Sequence, residues 1–386
     1  MKRLFIILFG FILLINCKFS YSHNNVINNS PETNSNEVLI KNFHPGEIWT
    51  DMNGKHINAH GGGVIFYEGK YYWIGEHKDS GTSNALAGIR MYSSEDLYNW
   101  KDEGIVLAVD PENSGSDIEK GCIMERPKVV YNKKTGKFVI WFHLELKNKG
   151  YKAARYAVAT SDKITGPYRM EYSARSCKDI WPLNMSLKER SEAIKSFQDK
   201  EESGKENSVL KGKFVARDLK EGQMSRDMTI FVDDDGKAYH IFSSEENATL
   251  HIAELSDDYL YHSGKWIRIL PGRSNEAPAI MKKDGKYWLI TSGCTGWAPN
   301  KARLAVSESI WGPWKELPNP CRGLNAEKTF NGQSTYILKV EGKKDSWIFM
   351  ADIWKPENQL DSRYIWLPIE FENNVPVINW NDEWGL

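Results

Sequence analysis

The sequence predicts an all-β fold, a five-bladed propeller held in a single domain. Three observations point there: one strand unit recurs along the chain, each copy turns at the same kind of residue, and all-β domains of this length fold as one piece.

The recurring unit is a Gly-Lys turn followed by an alternating aromatic and aliphatic strand. Its copies are Gly69-Lys70-Tyr71-Tyr72-Trp73-Ile74, Gly136-Lys137-Phe138-Val139-Ile140-Trp141, Gly236-Lys237-Ala238-Tyr239-His240-Ile241 and Gly285-Lys286-Tyr287-Trp288-Leu289-Ile290. Lys343 to Met350 is a degenerate fifth copy. A strand precedes each full copy and ends in a turn signal, as in Thr229 to Val232 before Asp233-Asp234-Asp235-Gly236. Glycine supplies the positive φ that such tight hairpins need. A further strand follows at Gly88 to Ser94, Ala154 to Ser161, Leu250 to Ser256 and Ala302 to Ser307. Repeated antiparallel units of this kind build propeller blades. A β-sandwich would also show short strands, but it does not need self-similar units.

The rhythm breaks at 173–221, where Leu187, Ala193, Ile194 and Phe197 are spaced as on a helix. This segment reads as an insertion in the propeller domain, 38–386. Residues 1–22 read as an export signal, with Lys2 and Arg3 ahead of an apolar run too short to span a bilayer comfortably. Ser20-Tyr21-Ser22 fits peptidase cleavage, whereas Leu14-Ile15-Asn16-Cys17 is an imperfect lipobox that would put a lipid anchor on Cys17; both routes stay open. Residues 23–37 are polar and read as a linker. The chain is expected to be exported to the periplasm, the cell surface or the medium.

Fifty basic and 51 acidic residues leave a formal net charge of -1, so nothing in the composition attracts nucleic acid, and a neutral ligand is expected. Aromatic residues make up 12% of the chain, which suits stacking on sugar faces as well as filling blade cores. Cys122, Cys177, Cys294 and Cys321 have no zinc-type spacing, and export permits disulfides without requiring them.

Propellers bring the starts of their inner strands toward one axis. Ahead of three repeats stand Met124-Glu125-Arg126-Pro127-Lys128, Ser225-Arg226-Asp227-Met228-Thr229 and Ser274-Asn275-Glu276-Ala277-Pro278, one carboxylate in each slot. Any one of them alone could cap a turn or pair with Arg126 or Arg226. Three in register point to a converging acidic site in which crowding raises at least one pKa. Glycosidic hydrolysis asks for this condition: a protonated acid for the leaving oxygen and a second group that activates water.

From His56 to Trp384 the chain resembles glycoside hydrolase family 43. The resemblance lies in Asp227-x-x-x-Phe231-x-Asp233-Asp234-Asp235-Gly236, in Glu276-Ala277-Pro278 and in Ala157 to Asp162 with Gly166-Pro167-Tyr168. It implies Glu276 as general acid and Asp227 as the residue that tunes it. The family's usual general base, an Asp in the first blade, is missing; Asn58-Ala59-His60-Gly61-Gly62-Gly63 stands there instead. That departure, with Glu125 to Val129, Gly296-Trp297-x-Pro299-Asn300 and Asn331-Gly332-Gln333-Ser334, is similar to the exo-β-1,3-galactanase subgroup. The subgroup implies Gln333 in place of the base and Glu125 on the terminal galactose. Gln333 would hold water by hydrogen bonding or act as its imidic tautomer, and Glu125 as the true base is a third option.

Glu76, Tyr151, Thr295, Gly296, Trp297 and Asn300 are further candidates for sugar contacts, and Glu76 and Tyr151 read equally well as structural. The implied activity is exo-acting, inverting release of galactose from β-1,3-galactan or an arabinogalactan backbone, by a monomer that needs no cofactor for its chemistry. A structural calcium is admitted by the resemblance, with metal ligands unassigned and His60 the nearby histidine; Asp233 to Gly236 reads as a hairpin rather than a calcium loop. Competing readings are an α-L-arabinofuranosidase or β-D-galactofuranosidase on the same fold, and a noncatalytic sugar-binding propeller.

Overall fold

The computed structural model describes residues 40–79, 81–199 and 205–386. The expected export signal, the Cys17 lipobox and the linker lie outside the described residues.

The first sheet is β1 (His60–Tyr67), β2 (Lys70–Glu76), β3 (Gly88–Ser94) and β4 (Lys101–Ala108), in that order. The second is β5 (Ile123–Asn132), β6 (Lys137–Glu145), β7 (Arg155–Ser161) and β8 (Arg169–Ala174). The third is β9 (Met228–Val232), β10 (Ala238–Ser244), β11 (Thr249–Leu255) and β12 (His262–Ile269). The fourth is β13 (Asn275–Lys283), β14 (Lys286–Gly293), β15 (Arg303–Ser307) and β16 (Lys315–Leu317). Within these four sheets every neighbouring pair is antiparallel. Each Gly-Lys turn sits at the hairpin between the first two strands, as Tyr67↔Lys70 and Ala238↔Val232 show.

The remaining strands correct the expected blade count. β17 (Cys321–Arg322), β22 (Val375–Asn379) and β21 (Glu370–Glu372) form one three-stranded sheet, and β18 (Gln333–Lys339), β19 (Trp347–Ile353) and β20 (Arg363–Pro368) form another. Among the described residues the sheets therefore number six, not five. The additional sheet has no Gly-Lys copy, and it joins distant segments through a parallel pair, Cys321↔Ile378 and Arg322↔Asn379. A search for one repeated hairpin cannot register such a sheet.

The inner strands β1, β5, β9, β13 and β18 pack side by side around the axis, with β18 returning to β1. The two ends of the described chain close the ring, because Phe43 and Trp384 exchange backbone hydrogen bonds of 2.8 and 3.2 Å. Apolar strand faces meet between sheets. Around Trp73, Trp100, Tyr364 and Trp366 the packing is almost wholly aromatic, with ring centroids 4.6 to 5.9 Å apart.

Helices α1 (Leu187–Gln198), α2 (Lys205–Leu210) and α3 (Lys213–Asp218) lie within 173–221. Ser186 and Glu189 cap α1 reciprocally. Of its four helically spaced apolar residues only Ala193 is buried; Leu187, Ile194 and Phe197 face solvent. The spacing located a helix but not a buried stripe.

Candidate active site

Four of the five inner strands, all but β9, carry a shared irregularity at the axial end. Pairing slips by a bulge between His60 and Gly63 in β1, between Glu125 and Lys128 in β5, between Glu276 and Ala279 in β13 and between Ser334 and Tyr336 in β18. Bulges re-aim side chains. Here they bring Glu125, Glu276 and Gln333 together at one cavity of about 340 Å³. Glu76, Glu125, Asp227, Glu276 and Gln333 line it, with Tyr151, Gly296 and Trp297 at its edge.

The glycines of the first strand serve close approach. Gly61 has φ +60, and a Cβ on it would lie 2.1 Å from Glu76 Oε1; one on Gly62 would lie 1.7 Å from the Ile74 carbonyl oxygen. The neighbour at this bare backbone is thus protein. Asp352 of β19 accepts from the Gly61 N–H at 2.7 Å, placing behind the first strand a carboxylate that the sequence motifs did not reveal.

Arg126 is the hub. Its Nη2 donates to Asp227 Oδ2 at 2.9 Å and to Gln333 Oε1 at 2.6 Å, its Nη1 to the Ser334 carbonyl, and its backbone N–H to Glu76 Oε1. Gln333 Oε1 also accepts from Trp354 Nε1 at 2.9 Å, while its Nε2 donates to Ser292 Oγ at 3.0 Å. Arg126 and Trp354 can only donate, which fixes the orientation of the amide.

Glu276 Oε1 accepts from Asn247 Nδ2 at 2.6 Å. Asn247 is presented by three successive left-handed residues, Glu245, Glu246 and Asn247. Burial and the nearby Asp227 charge push the Glu276 carboxyl up to about 7, against the pull of Cys294, Arg126 and Asn247.

Glu125 lies in a different field. Tyr151 donates to its Oε1 at 2.6 Å, and His143 Nδ1 lies 3.2 Å from Oε2. The other ring nitrogen of His143 meets Glu145 at 2.9 Å. Burial opposes the charges, but the two carboxylates raise His143 to about 9, and His143, Lys78 and Tyr151 draw Glu125 down to about 2. Burial raises the pKa of Glu76, whose Oε2 pairs with Lys78 Nζ at 2.5 Å.

Glu125, His143 and Asp227 are the cluster, among the described residues, with ligand atoms close enough for a metal ion. They do not suit calcium, which takes six to eight oxygen ligands. His143 offers nitrogen and is held protonated between carboxylates, and Asp227 is paired with Arg126.

Thr295 and Asn300 are not among the residues lining the cavity. Asn300 accepts from the Gly293 N–H at 2.7 Å and donates to Thr295 Oγ1 at 2.7 Å, so the two brace the loop that presents Trp297. Trp297 is 40% exposed and packs edge-on against Trp354. Lys78, His143, Asn247 and Trp354 line the cavity without having been singled out from sequence. The available signal was a polar residue inside an apolar strand, as in Phe142-His143-Leu144. Cys122, Cys177, Cys294 and Cys321 are not joined in disulfides.

A family model, glycosyl hydrolases family 43, matches residues 205–372. The solved structure of a family 43 β-1,3-galactosidase with galactodeoxynojirimycin is 59% identical, covers 89% of this chain and 100% of its own, and superposes with a TM-score of 0.86. The chain belongs to glycoside hydrolase family 43. A second family 43 relative is the exo-β-1,3-galactanase of Phanerochaete chrysosporium, solved as a Glu-to-Gln variant with β-1,3-galactotriose. It is 30% identical over 90% of this chain and 68% of that one, with a TM-score of 0.72. A β-D-galactofuranosidase of Aspergillus niger is 28% identical over 129 residues, 30% of this chain and 37% of that protein. The matched part thus spans little more than a third of that curated relative.

Proposed function

We propose that this family 43 chain is an exo-acting glycoside hydrolase that releases galactose from β-1,3-galactan with inversion. The observation that carries the reading is Glu276, a carboxyl raised to about 7 in a cavity whose other carboxylates are held in ion pairs and hydrogen bonds. Its likeness to a β-1,3-galactosidase over that protein's whole length supports the choice of sugar.

Near neutral pH Glu276 retains its proton in part of the molecules. Asn247 donates to Oε1, so the proton resides on Oε2, from which it passes to the leaving glycosidic oxygen. Asp227 keeps that proton in place through its charge, and Arg126 holds Asp227. Gln333 acts as an amide: its imidic tautomer would carry a hydrogen on Oε1, facing two groups that can only donate. Its second Nε2 hydrogen is left to orient the attacking water, which adds to the anomeric carbon and then gives up its surplus proton to solvent water. An oxocarbenium-like transition state asks for position more than for a strong base. Glu125, drawn down to about 2, is a poor base and a good acceptor for sugar hydroxyls.

The test is product identification. De-branched β-1,3-galactan should yield galactose, first as the α-anomer by NMR, and aryl arabinofuranoside and galactofuranoside should yield nothing. Furanose release would move the assignment to a furanosidase. First appearance of the β-anomer would rule out inversion. An export signal at residues 1–22 agrees with a polymeric substrate met outside the cell.

A further inference from the structure

A second cavity, about 800 Å³, opens on the outer side of the turn that carries Tyr151. Its lining is strongly basic. Lys149, Lys152, Arg155, Arg175 and Lys178 contribute to it, and among the described residues Glu221 is the only acidic one in its lining. In a chain of net charge -1 this is a local excess that composition does not explain.

The cations fall into two kinds. Arg155 is paired with Asp117 at 3.0 Å, and Arg175 is anchored on the Ala153 and Lys152 carbonyls with Asp218 3.6 Å away, so these two form a fixed wall. Lys149, Lys152 and Lys178 are exposed, and none of the ion pairs found among the described residues involves them. Three ammonium groups beside a concave surface lose repulsion when an anion enters. Tyr261, 53% exposed and stacked on Tyr172 at 5.2 Å, adds a flat apolar face of the kind on which pyranose rings rest.

The cavity adjoins the candidate active site through three residues. Gly150, Tyr151 and Lys152 form a short 3-10 turn. Tyr151 turns inward to Glu125, while Lys149 and Lys152 line the outer cleft. Arg226, which lines the active-site cavity, ties the turn down by donating to the Tyr151 carbonyl at 2.8 Å.

We propose that this basic cleft binds a carboxylate-bearing branch, a uronic acid, on the galactan whose terminal sugar occupies the active-site cavity. The inference rests on the galactanase reading and adds a preference among its substrates. A branch leaving the sugar beside Tyr151 passes over the turn and brings its carboxylate to the three lysines, with its ring against Tyr261.

Affinity electrophoresis and hydrolysis on three polymers test this: a uronic-acid-bearing arabinogalactan, the same polymer after carboxyl reduction, and unbranched β-1,3-galactan. At low salt the acidic polymer should bind about tenfold more tightly than its reduced form, and the difference should shrink as salt screens it. Lys149→Ala/Lys152→Ala/Lys178→Ala should abolish that difference through KM and leave hydrolysis of unbranched galactan unchanged, whereas the triple Lys→Arg variant should keep it. Equal binding of native and reduced polymers, or a preference that survives the triple Ala variant, overturns the proposal. So does lysine-dependent binding to phosphatidylglycerol vesicles without a preference for the acidic polymer. If no galactan is hydrolysed, the enzymatic reading fails by itself, because the binding comparison needs no turnover.

Discussion

Glu125 and Glu276 occupy the same place in two different strands. Each stands directly before a bulge, each is followed by a non-glycine residue in the left-handed region, Arg126 at φ +55 and Ala277 at φ +52, and each is then followed by proline. Their backbones aim both carboxyls into the same cavity. Their protonation is opposite, about 2 for Glu125 and about 7 for Glu276. Glu125 has an imidazolium, an ammonium and a phenol around it. Glu276 has an amide, a thiol and the charge of Asp227. The fold supplies aim, and the neighbours supply chemistry, so identical strand motifs yield an acceptor for hydroxyls in one sheet and a proton donor in another.

The sharpest way to break this comparison is to remove both charges in turn. Glu276→Gln should lower kcat on galactan about 10³-fold, and an aryl galactoside with a good leaving group should recover much of the loss, because such a group departs without protonation. Glu125→Gln should show no such recovery. If both variants are rescued alike, the two carboxyls do not have separate roles.

Next in size is the imidazolium. His143 is buried between Glu125 and Glu145, so His143→Ala leaves two carboxylates without their cation and should cost roughly 3–5 kcal/mol in chemical denaturation. The pair also sets a pH window. His143 is raised to about 9, so its contribution is complete below its unfolded value near 6.5 and is lost as pH climbs through 9. Glu125 is lowered to about 2, so its contribution is complete above about 4.5 and is lost as pH falls toward 2. Stability from this pair should peak between pH ~4.5 and ~6.5, and His143→Ala should lower that plateau and flatten the fall in melting temperature on the alkaline side of it.

Much of this was legible in the sequence, and the reason is geometric. Repeats fix which strand is innermost, so the residues just ahead of Val129, Met228 and Ala279 had to meet near an axis. Arg126, adjacent to Glu125, was visible only as an ion-pair partner, because its contacts with Asp227 and Gln333 span 101 and 207 residues. His143 lay hidden in a strand whose alternation reads as core. Trp354 follows the degenerate repeat, where the pattern is weakest. The additional sheet went unseen because its one hairpin turns at Asn373-Asn374 without a Gly-Lys copy, and its third strand joins in parallel from a distant segment.

A smaller effect separates the two carboxyls by charge alone. Asp227→Asn removes the charge that holds the Glu276 proton, so the acid should ionise at lower pH and the basic limb of the pH–rate profile should move toward acid by about one pH unit. Glu125 owes its low value to other groups, so substrate affinity at low pH should hold. An unmoved basic limb would mean that burial alone sets the acid.

The smallest effect tests the shared backbone. Ala277 adopts a left-handed conformation at φ +52, and its carbonyl accepts from Ser334 Oγ beside Gln333. Glycine relieves the Cβ clash, worth about 1–2 kcal/mol, but gives back about 0.5–1 kcal/mol in unfolded-state freedom. Ala277→Gly should therefore stabilise the protein by about 0.5 kcal/mol and leave kcat within about twofold, as long as the bulge holds its shape. Ala277→Val meets the same φ with a branched side chain, so it should lose both stability and rate. If glycine cost activity as valine does, the aim of Glu276 would depend on the side chain at 277, and the backbone likeness to Glu125 would not be what places the acid.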